Sequence, residues 1–157
     1  MIVQKKFIAE EHPEGDKYQL VMLVVFIATW IADSFIIKAA ILESPVPWYL
    51  RTTAGASIII IGSYLVNESH KLVIDSGEPI FIDWGVYSLV RHPMYLGVML
   101  AYLGLTISTV SIASLLILVG IFYFYDRIAD YEENQIIETI GEKYINYSGK
   151  TRRWLFF

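Results

Sequence analysis

Apolar runs separated by shorter polar segments dominate the chain. The first run, residues 18–37, carries a single charged side chain, Asp33, among twenty residues. That length is sufficient for a helix to span a bilayer. Three further apolar runs cover residues 48–66, 93–108 and 111–126. This pattern predicts an all-α integral membrane protein with about four transmembrane helices in one domain over residues 1–157.

The third and fourth runs are predicted to form a helical hairpin. The third run begins after Arg91 and His92 with Pro93, and proline favours the first turn of a helix, where its missing N–H is no loss. Small residues follow on one helical face, at positions Gly97, Ala101, Gly104 and Ser108. Such a face lets another membrane helix approach closely, and we expect the fourth run to be that helix. At ~1.5 Å per residue the third run is shorter than the hydrocarbon core of a bilayer, so we expect that the hairpin does not cross the membrane perpendicular to its plane.

The polar segments are predicted to lie at the membrane surface. The connection over residues 67–92 is a long polar insertion that could be extended or irregular. After Tyr125 the chain turns polar without a breaker, so we expect the fourth helix to continue, with Gly141 as its C-terminal stop. Residues 127–157 are therefore predicted to form a cytoplasmic C-terminal segment.

Composition and charge agree with this topology. The apolar fraction of 55% and the mean hydropathy of +0.50 favour a membrane protein. Of the 12 lysines and arginines, all but Lys38 and Arg51 fall on the side that four spans assign to both termini and the middle loop. The positive-inside rule then places the termini in the cytoplasm. The first residues lack the pattern of a cleaved signal peptide, so we expect the first apolar run to be retained.

The same composition bounds the chemistry. A net charge of −4 without a basic run gives no case for nucleic acid. The absence of cysteine removes disulfides, thiolate metal sites and a cysteine nucleophile, and no metal site is predicted. The oligomeric state is left open.

One segment, YSLVRHPMYLG over residues 87–97, places a cation, an imidazole and a proline at the start of an apolar run. Taken one by one, these residues suit a membrane interface, where Arg91 extends to headgroups and tyrosines form a belt. Glu132 and Glu133 alone suit a solvated helix face. Asp33 near the end of its span should face the interior or the interface.

Together, however, these segments resemble the isoprenylcysteine carboxyl methyltransferase family, with its phospholipid N-methyltransferase relatives. That family has RHPxYxG, then a glutamate pair, then FGxxYxxY. The matching residues here are Arg91, His92, Pro93, Tyr95 and Gly97, then Glu132 and Glu133, then Ile140, Gly141, Tyr144 and Tyr147. The resemblance runs from Gly85 to the C terminus, and the first two helices match only in being apolar.

The resemblance implies methyl transfer from S-adenosylmethionine. The residues that it assigns to the cofactor are Tyr87, His92, Pro93, Tyr95, Gly97, Glu132 and Glu133. These residue types suit that ligand, because aromatic faces attract a sulfonium, a carboxylate accepts from ribose hydroxyls, and an imidazole or guanidinium can donate to the cofactor carboxylate. No glycine-rich dinucleotide turn is present, so a soluble Rossmann enzyme is not supported.

The acceptor implied is a lipid-like or isoprenylated molecule that enters from the membrane, with carboxyl O-methylation as the reaction. A guanidinium suits an anionic acceptor, and Arg91 and Arg127 are the catalytic candidates. In the family an arginine lies one turn before the glutamate pair. Here Arg127 lies five residues before Glu132, about 140° away on a regular helix, so either the helix is distorted or Arg127 has another role.

Two other functions fit parts of the sequence. Membrane reductases of the steroid and sterol type carry a similar RHPxY motif and use NADPH. A non-enzymatic four-helix membrane subunit would use the same motif as an interface anchor only. The glutamate pair with its following tyrosines, and the small size, favour the methyltransferase.

Overall fold

The computed structural model describes residues 15–75 and 81–155, and within them confirms an all-α fold. The helices are α1 (Gly15–Ile31), α2 (Trp48–Asp75), α3 (Pro93–Thr109), α4 (Ile112–Ile140) and α5 (Glu142–Ser148). A six-residue π-helix, Ala32–Ile37, extends α1, and a 3-10 turn, Gly85–Ser88, precedes α3. The first fourteen residues, on which the signal-peptide expectation rests, lie outside the described residues, as do residues 76–80 of the polar insertion.

Three of the described helical segments are long and apolar enough to cross a membrane, namely Lys17–Ile37, Trp48–Ile74 and Ile112–Ile140. The fourth apolar helix, α3, is shorter, as expected. The second helix continues past residue 66 to Asp75, so the first part of the predicted insertion is helical. No breaker interrupts it, and Glu68 and Lys71 form an i,i+3 ion pair at 2.8 Å on its surface.

The small-residue face of α3 packs against α2, and the expected pairing of that face with α4 is wrong. A Cβ atom on Gly97 would lie 2.5 Å from the carbonyl oxygen of Gly62, and one on Gly104 would lie 2.5 Å from that of Gly55. Gly97 and Gly104 of α3 are seven residues apart, and so are Gly55 and Gly62 of α2. In one antiparallel register, Gly97 therefore meets Gly62 and Gly104 meets Gly55. The helix backbones therefore approach more closely here than side chains at these positions would allow.

A buried polar cluster closes the end of the bundle at the α3–α4 turn, which we call the turn end. The Asp33 carboxylate, 6% exposed, accepts hydrogen bonds from the Ala40 amide at 2.9 Å and the Ser111 hydroxyl at 2.5 Å. Ser34 donates to Thr109 at 2.9 Å. Asp33 thus faces the interior, where it joins the π-helix to the turn.

Aromatic and aliphatic side chains form the core between α1, α3 and α4. Phe26 of α1 packs on Tyr102 of α3 with ring centroids 4.4 Å apart, and Ile121 and Tyr125 of α4 are 0% and 2% exposed. Large apolar side chains also cover the outside, including Ile36 at 73% exposure. Such an apolar exterior suits lipid rather than water.

Candidate active site

Residues 87–97, which we call the motif segment, lie at the end of the bundle opposite the turn end. We call this end the site end. Gly85, at a φ of +62°, starts the 3-10 turn that carries Tyr87. Pro93 then occupies the first turn of α3, as predicted. His92 is the N-cap residue by position, but its side chain makes no capping hydrogen bond. The imidazole instead extends towards α4.

Glu133 is the centre of the polar cluster at the site end. Its Oε1 lies 2.9 Å from His92 Nε2 and 3.0 Å from Arg91 Nε. The approach of Arg91 Nε is too oblique for a directed hydrogen bond, so this contact is mainly between charges. Arg153 adds two parallel hydrogen bonds, Nε to Oε1 and Nη2 to Oε2, both at 3.0 Å. Because Glu133 is only 6% exposed, these partners replace the water that its charge would otherwise require.

The neighbouring Glu132 faces a different set of groups. The Tyr95 hydroxyl donates a hydrogen bond to Glu132 Oε1, and Glu132 Oε2 lies 3.6 Å from His92 Nδ1. Tyr87 is close enough for the Glu132 charge to affect its titration. The two adjacent glutamates therefore have different partners: both arginines bind Glu133, the tyrosines meet Glu132, and His92 lies between the two carboxylates.

Aromatic rings line the same end. The His92 and Tyr95 rings are stacked, with centroids 5.7 Å apart and an interplanar angle of 3°. Tyr95 also packs on Tyr125 of α4 at 5.0 Å, and Trp154 lies 5.9 Å from His92. The cluster thus offers both π-faces and a carboxylate, which are the groups that attract a cation.

The part of the chain that follows α4, residues 141–155, packs onto this cluster. From here on, the name C-terminal segment refers to these residues. Gly141 ends α4 as predicted, at a φ of +57°. The Tyr147 hydroxyl donates to the Tyr87 carbonyl at 2.5 Å, and the Arg91 amide donates to the Arg152 carbonyl at 2.9 Å. The segment is therefore joined to the motif segment through the backbone as well as through side chains.

Burial is the largest single influence on the pKa of these groups, and hydrogen bonds oppose it at Tyr87 and Arg153. Burial raises the pKa of the Tyr87 phenol, and a hydrogen bond with Ser69 partly offsets this rise. Burial likewise raises the pKa of Tyr147 well above its ordinary value, so its hydroxyl remains a donor. Burial acts to lower the pKa of Arg153, but its hydrogen bonds and charge contact with Glu133 outweigh burial and raise it.

A groove of 730 Å³ opens beside the cluster, between α1, α2 and α3. Apolar side chains and three polar ones line it, the polar ones being Gln19, Ser63 and Asn67. Gly97 and Tyr125 contribute to its wall. Because Tyr125 also packs on Tyr95, the groove and the cluster share a boundary.

Most of the residues singled out in the sequence meet in this cluster, with two exceptions. The residues linked by the contacts above are Tyr87, Arg91, His92, Tyr95, Glu132 and Glu133, and Pro93 starts the helix that carries Tyr95. Gly97 packs against Gly62 of α2. Arg127 lies apart, where it donates to the Tyr123 hydroxyl at 2.7 Å and covers that ring. Since α4 is uninterrupted to Ile140, helix distortion does not bring Arg127 to Glu132.

Sequence reasoning overlooked several members of the cluster. Arg153 also contacts Asp130 at 2.6 Å and Asp126 at 3.3 Å, and Trp154 Nε1 donates to Asp126 at 2.9 Å. A signal existed, because Asp126, Asp130 and Glu133 share one face of α4 at spacings of four and three. An acidic stripe of this kind requires a basic partner, and the sequence pattern does not show which arginine supplies it.

The fold and this cluster define an integral membrane protein with a buried polar site at one end of its helical bundle. The sequence pattern of the phospholipid methyltransferase family matches residues 50–143, which include most of α2 and all of α3 and α4. The chain therefore belongs to the phospholipid methyltransferase family.

Curated relatives agree with that assignment. The chain is 29% identical over 113 residues to the protein-S-isoprenylcysteine O-methyltransferase of Saccharomyces cerevisiae, covering 64% of this chain and 47% of the relative. It is 28% identical over 97 residues to protein-S-isoprenylcysteine O-methyltransferase B of Arabidopsis thaliana, covering 61% and 45%. The chain thus spans about half the length of these relatives. No solved structure matches.

Proposed function

We propose that the protein is an S-adenosylmethionine-dependent membrane methyltransferase that O-methylates the carboxylate of a lipid-like or isoprenylated acceptor. The observation that carries the proposal is the convergence of Tyr87, His92, Tyr95 and Glu132 beside a groove that lies among membrane helices. Family membership and the named activity of the relatives support the reaction class.

The residues of the cluster fit the cofactor by their chemistry. Tyr87 and Tyr95 supply aromatic faces for a sulfonium, and Glu132 supplies an acceptor for hydroxyl or amino donors. His92 donates Nε2 to Glu133 at 2.9 Å, because an ionised carboxylate can only accept. When bound, S-adenosylmethionine supplies an activated methyl group and a neutral leaving group, so the protein's contribution is chiefly positioning.

Arg91 is the better placed of the two candidates for holding an acceptor carboxylate. It lies within the cluster, paired with Glu133 at 3.0 Å and donating Nη1 to the Ser148 carbonyl at 3.1 Å. These two contacts fix its guanidinium between Glu133 of α4 and Ser148 of the C-terminal segment. Arg127 stays a candidate only if the acceptor reaches the exposed face of α4 beside Tyr123.

The groove supports lateral entry of the acceptor from the membrane. Its apolar wall suits a hydrocarbon tail, while its polar side chains suit a head group near the interface. The excess of basic residues on one side of the spans supports termini and an active site that face the cytoplasm. A water-soluble cofactor then enters from the cytoplasm, separately from the acceptor.

The deciding experiment is transfer of labelled methyl from S-adenosylmethionine to a panel of acceptors in bilayers. The panel contains prenylcysteines, isoprenoid acids and amine-headed phospholipids of matched tail length. Labelling of the prenylcysteine carboxylate supports the proposal, whereas labelling of amines alone replaces O-methylation by N-methylation.

Parallel binding measurements separate the other functions. Thermal stabilisation in detergent by S-adenosylhomocysteine, without an effect of NADPH, excludes the reductase. If neither compound shifts the melting temperature and no acceptor is labelled, the non-enzymatic subunit is the better description.

A further inference from the structure

We propose that Arg153 is a positioning residue of the candidate active site: it fixes the carboxylate of Glu133, and Glu133 in turn fixes His92 and Arg91. The inference rests on the proposed function in that His92 and Arg91 are taken to meet the substrates. Arg153 itself belongs to the C-terminal segment, outside the motifs that identify the family.

The first step is the geometry of the pair. Arg153 presents two nitrogens to the two oxygens of Glu133, each at 3.0 Å. A planar guanidinium that binds both oxygens of a carboxylate restrains its rotation, which a single contact does not. Asp126 contacts Nη1 of the same guanidinium, and Asp130 contacts Nη2, the nitrogen that also binds Glu133, so Arg153 is itself fixed on α4.

The second step is what Glu133 does with the oxygen that Arg153 holds. Oε1, which accepts from Arg153 Nε, is the same atom that contacts His92 Nε2 and Arg91 Nε. A rotated Glu133 would leave Nε2 of the His92 imidazole, 9% exposed, without its acceptor, while Glu132 stays beside Nδ1. The loss of Arg153 is therefore transmitted to the imidazole that stacks on Tyr95.

The third step is the backbone link beside this pair. The Arg91 amide donates to the Arg152 carbonyl at 2.9 Å, one residue before Arg153. The C-terminal segment thus holds two parts of the site at adjacent residues: the Arg152 backbone binds Arg91 of the motif segment, and the Arg153 side chain binds Glu133 of α4. Arg152 provides a matched control, because its own side chain is exposed and, within residues 15–75 and 81–155, donates only to the Leu155 carbonyl at 3.3 Å.

The experiment compares Arg153→Gln with Arg152→Gln in the full-length protein in detergent. Affinity for S-adenosylhomocysteine is measured by calorimetry, and hydrogen exchange is followed at the Arg91 and Leu96 amides. We expect Arg153→Gln to weaken the affinity about tenfold or more and to speed exchange at both amides, while Arg152→Gln changes the affinity less than about twofold. Equal behaviour of the two variants would overturn the proposal.

Two further variants separate positioning from simple anchoring. Asp130→Asn removes an exposed partner of Arg153 and leaves the Glu133 contact in place, so we expect wild-type affinity. In a double-mutant cycle, Arg153→Gln should add little once Glu133→Gln is present. Additive losses, or an Asp130→Asn variant as weak as Arg153→Gln, would show that Arg153 only anchors the segment.

The role of Arg153 can still be tested if one variant does not fold or if the proposed function fails. If Arg153→Gln does not fold, Arg153→Lys carries the test: its ammonium keeps the charge but not the two parallel hydrogen bonds, so the affinity should fall to an intermediate value. Wild-type affinity in the lysine variant would contradict the proposal. If the wild-type protein does not bind S-adenosylhomocysteine, the proposed function fails, and exchange at Arg91 and Leu96 alone decides the role of Arg153.

Discussion

The close approach of α2 and α3 makes Gly97→Ala a sensitive test of how the site is supported. A Cβ atom at this position would lie 2.5 Å from the carbonyl oxygen of Gly62 and 2.8 Å from a methyl group of Val66. Ordinary van der Waals contact begins at 3.4 Å. The helices would therefore have to separate locally by about 0.9 Å, the difference between 3.4 and 2.5 Å.

This displacement has an energetic cost and a functional cost. Forcing an extra methyl group into a tight contact costs about 1–3 kcal/mol of stability. Exchanging glycine for alanine in a helix returns about 0.5–1 kcal/mol, so a net loss of up to about 2.5 kcal/mol is expected. Tyr95 lies two residues earlier on the same helix, and a displacement near 1 Å at a reacting geometry can reduce the rate about a hundredfold.

The assay is unfolding in detergent together with methyl transfer, and the protein contains its own controls. Gly120→Ala adds the same methyl group where no described atom lies within 4 Å of the new Cβ, so it should be neutral or slightly stabilising. Gly62→Ala creates the reciprocal clash from α2, without touching the motif, and should match Gly97→Ala. If Gly97→Ala keeps wild-type stability but loses cofactor affinity, Gly97 serves the cofactor directly, and the packing explanation is wrong.

Further predictions concern the cofactor, the turn end, the acceptor and the topology. His92→Ala and Glu132→Ala should each weaken S-adenosylmethionine binding about ten- to a hundredfold by calorimetry with unchanged circular dichroism; unchanged affinity in both would remove the cofactor assignment. Asp33→Asn weakens the carboxylate's bonds to Ser111 and Ala40 and should lower the free energy of unfolding by about 1–2 kcal/mol without altering cofactor affinity; an affinity change would reveal communication between the two ends. Each methylene removed from the acceptor tail should cost about 0.8 kcal/mol of capture in bilayer assays corrected for partitioning, and a short tail that reacts equally well would refute lateral entry. A reporter fused after Phe157 should read as cytoplasmic, and an extracytoplasmic signal would reverse the topology.

Much of the fold could be predicted because the length of an apolar run and the residues that start or stop a helix act locally, within one segment of the chain. The apolar runs mark the helices, since a membrane span must satisfy its own backbone. Pro93 marks the start of a helix because it lacks an N–H that the first helical turn does not use. Gly141 marks the end of a helix because its φ of +57° is disfavoured for residues with a side chain. The continuation of α2 to Asp75 was missed because polar residues alone do not end a helix.

By itself the sequence determined the order and spacing of the motifs that hold His92, Tyr95 and Glu132, and from them it predicted, with Tyr87 in the same segment as His92, which groups meet a methyl donor. Only the tertiary structure decided which helix covers the glycines of α3, which glutamate binds the basic residues, and that Arg153 completes the cluster. The reason is physical. Periodicity shows which residues share a face, but the partner of that face depends on matching register with a distant segment, as Gly55 and Gly62 match α3. A buried charge likewise requires partners, and one partner of Glu133, Arg153, lies twenty residues further along the chain.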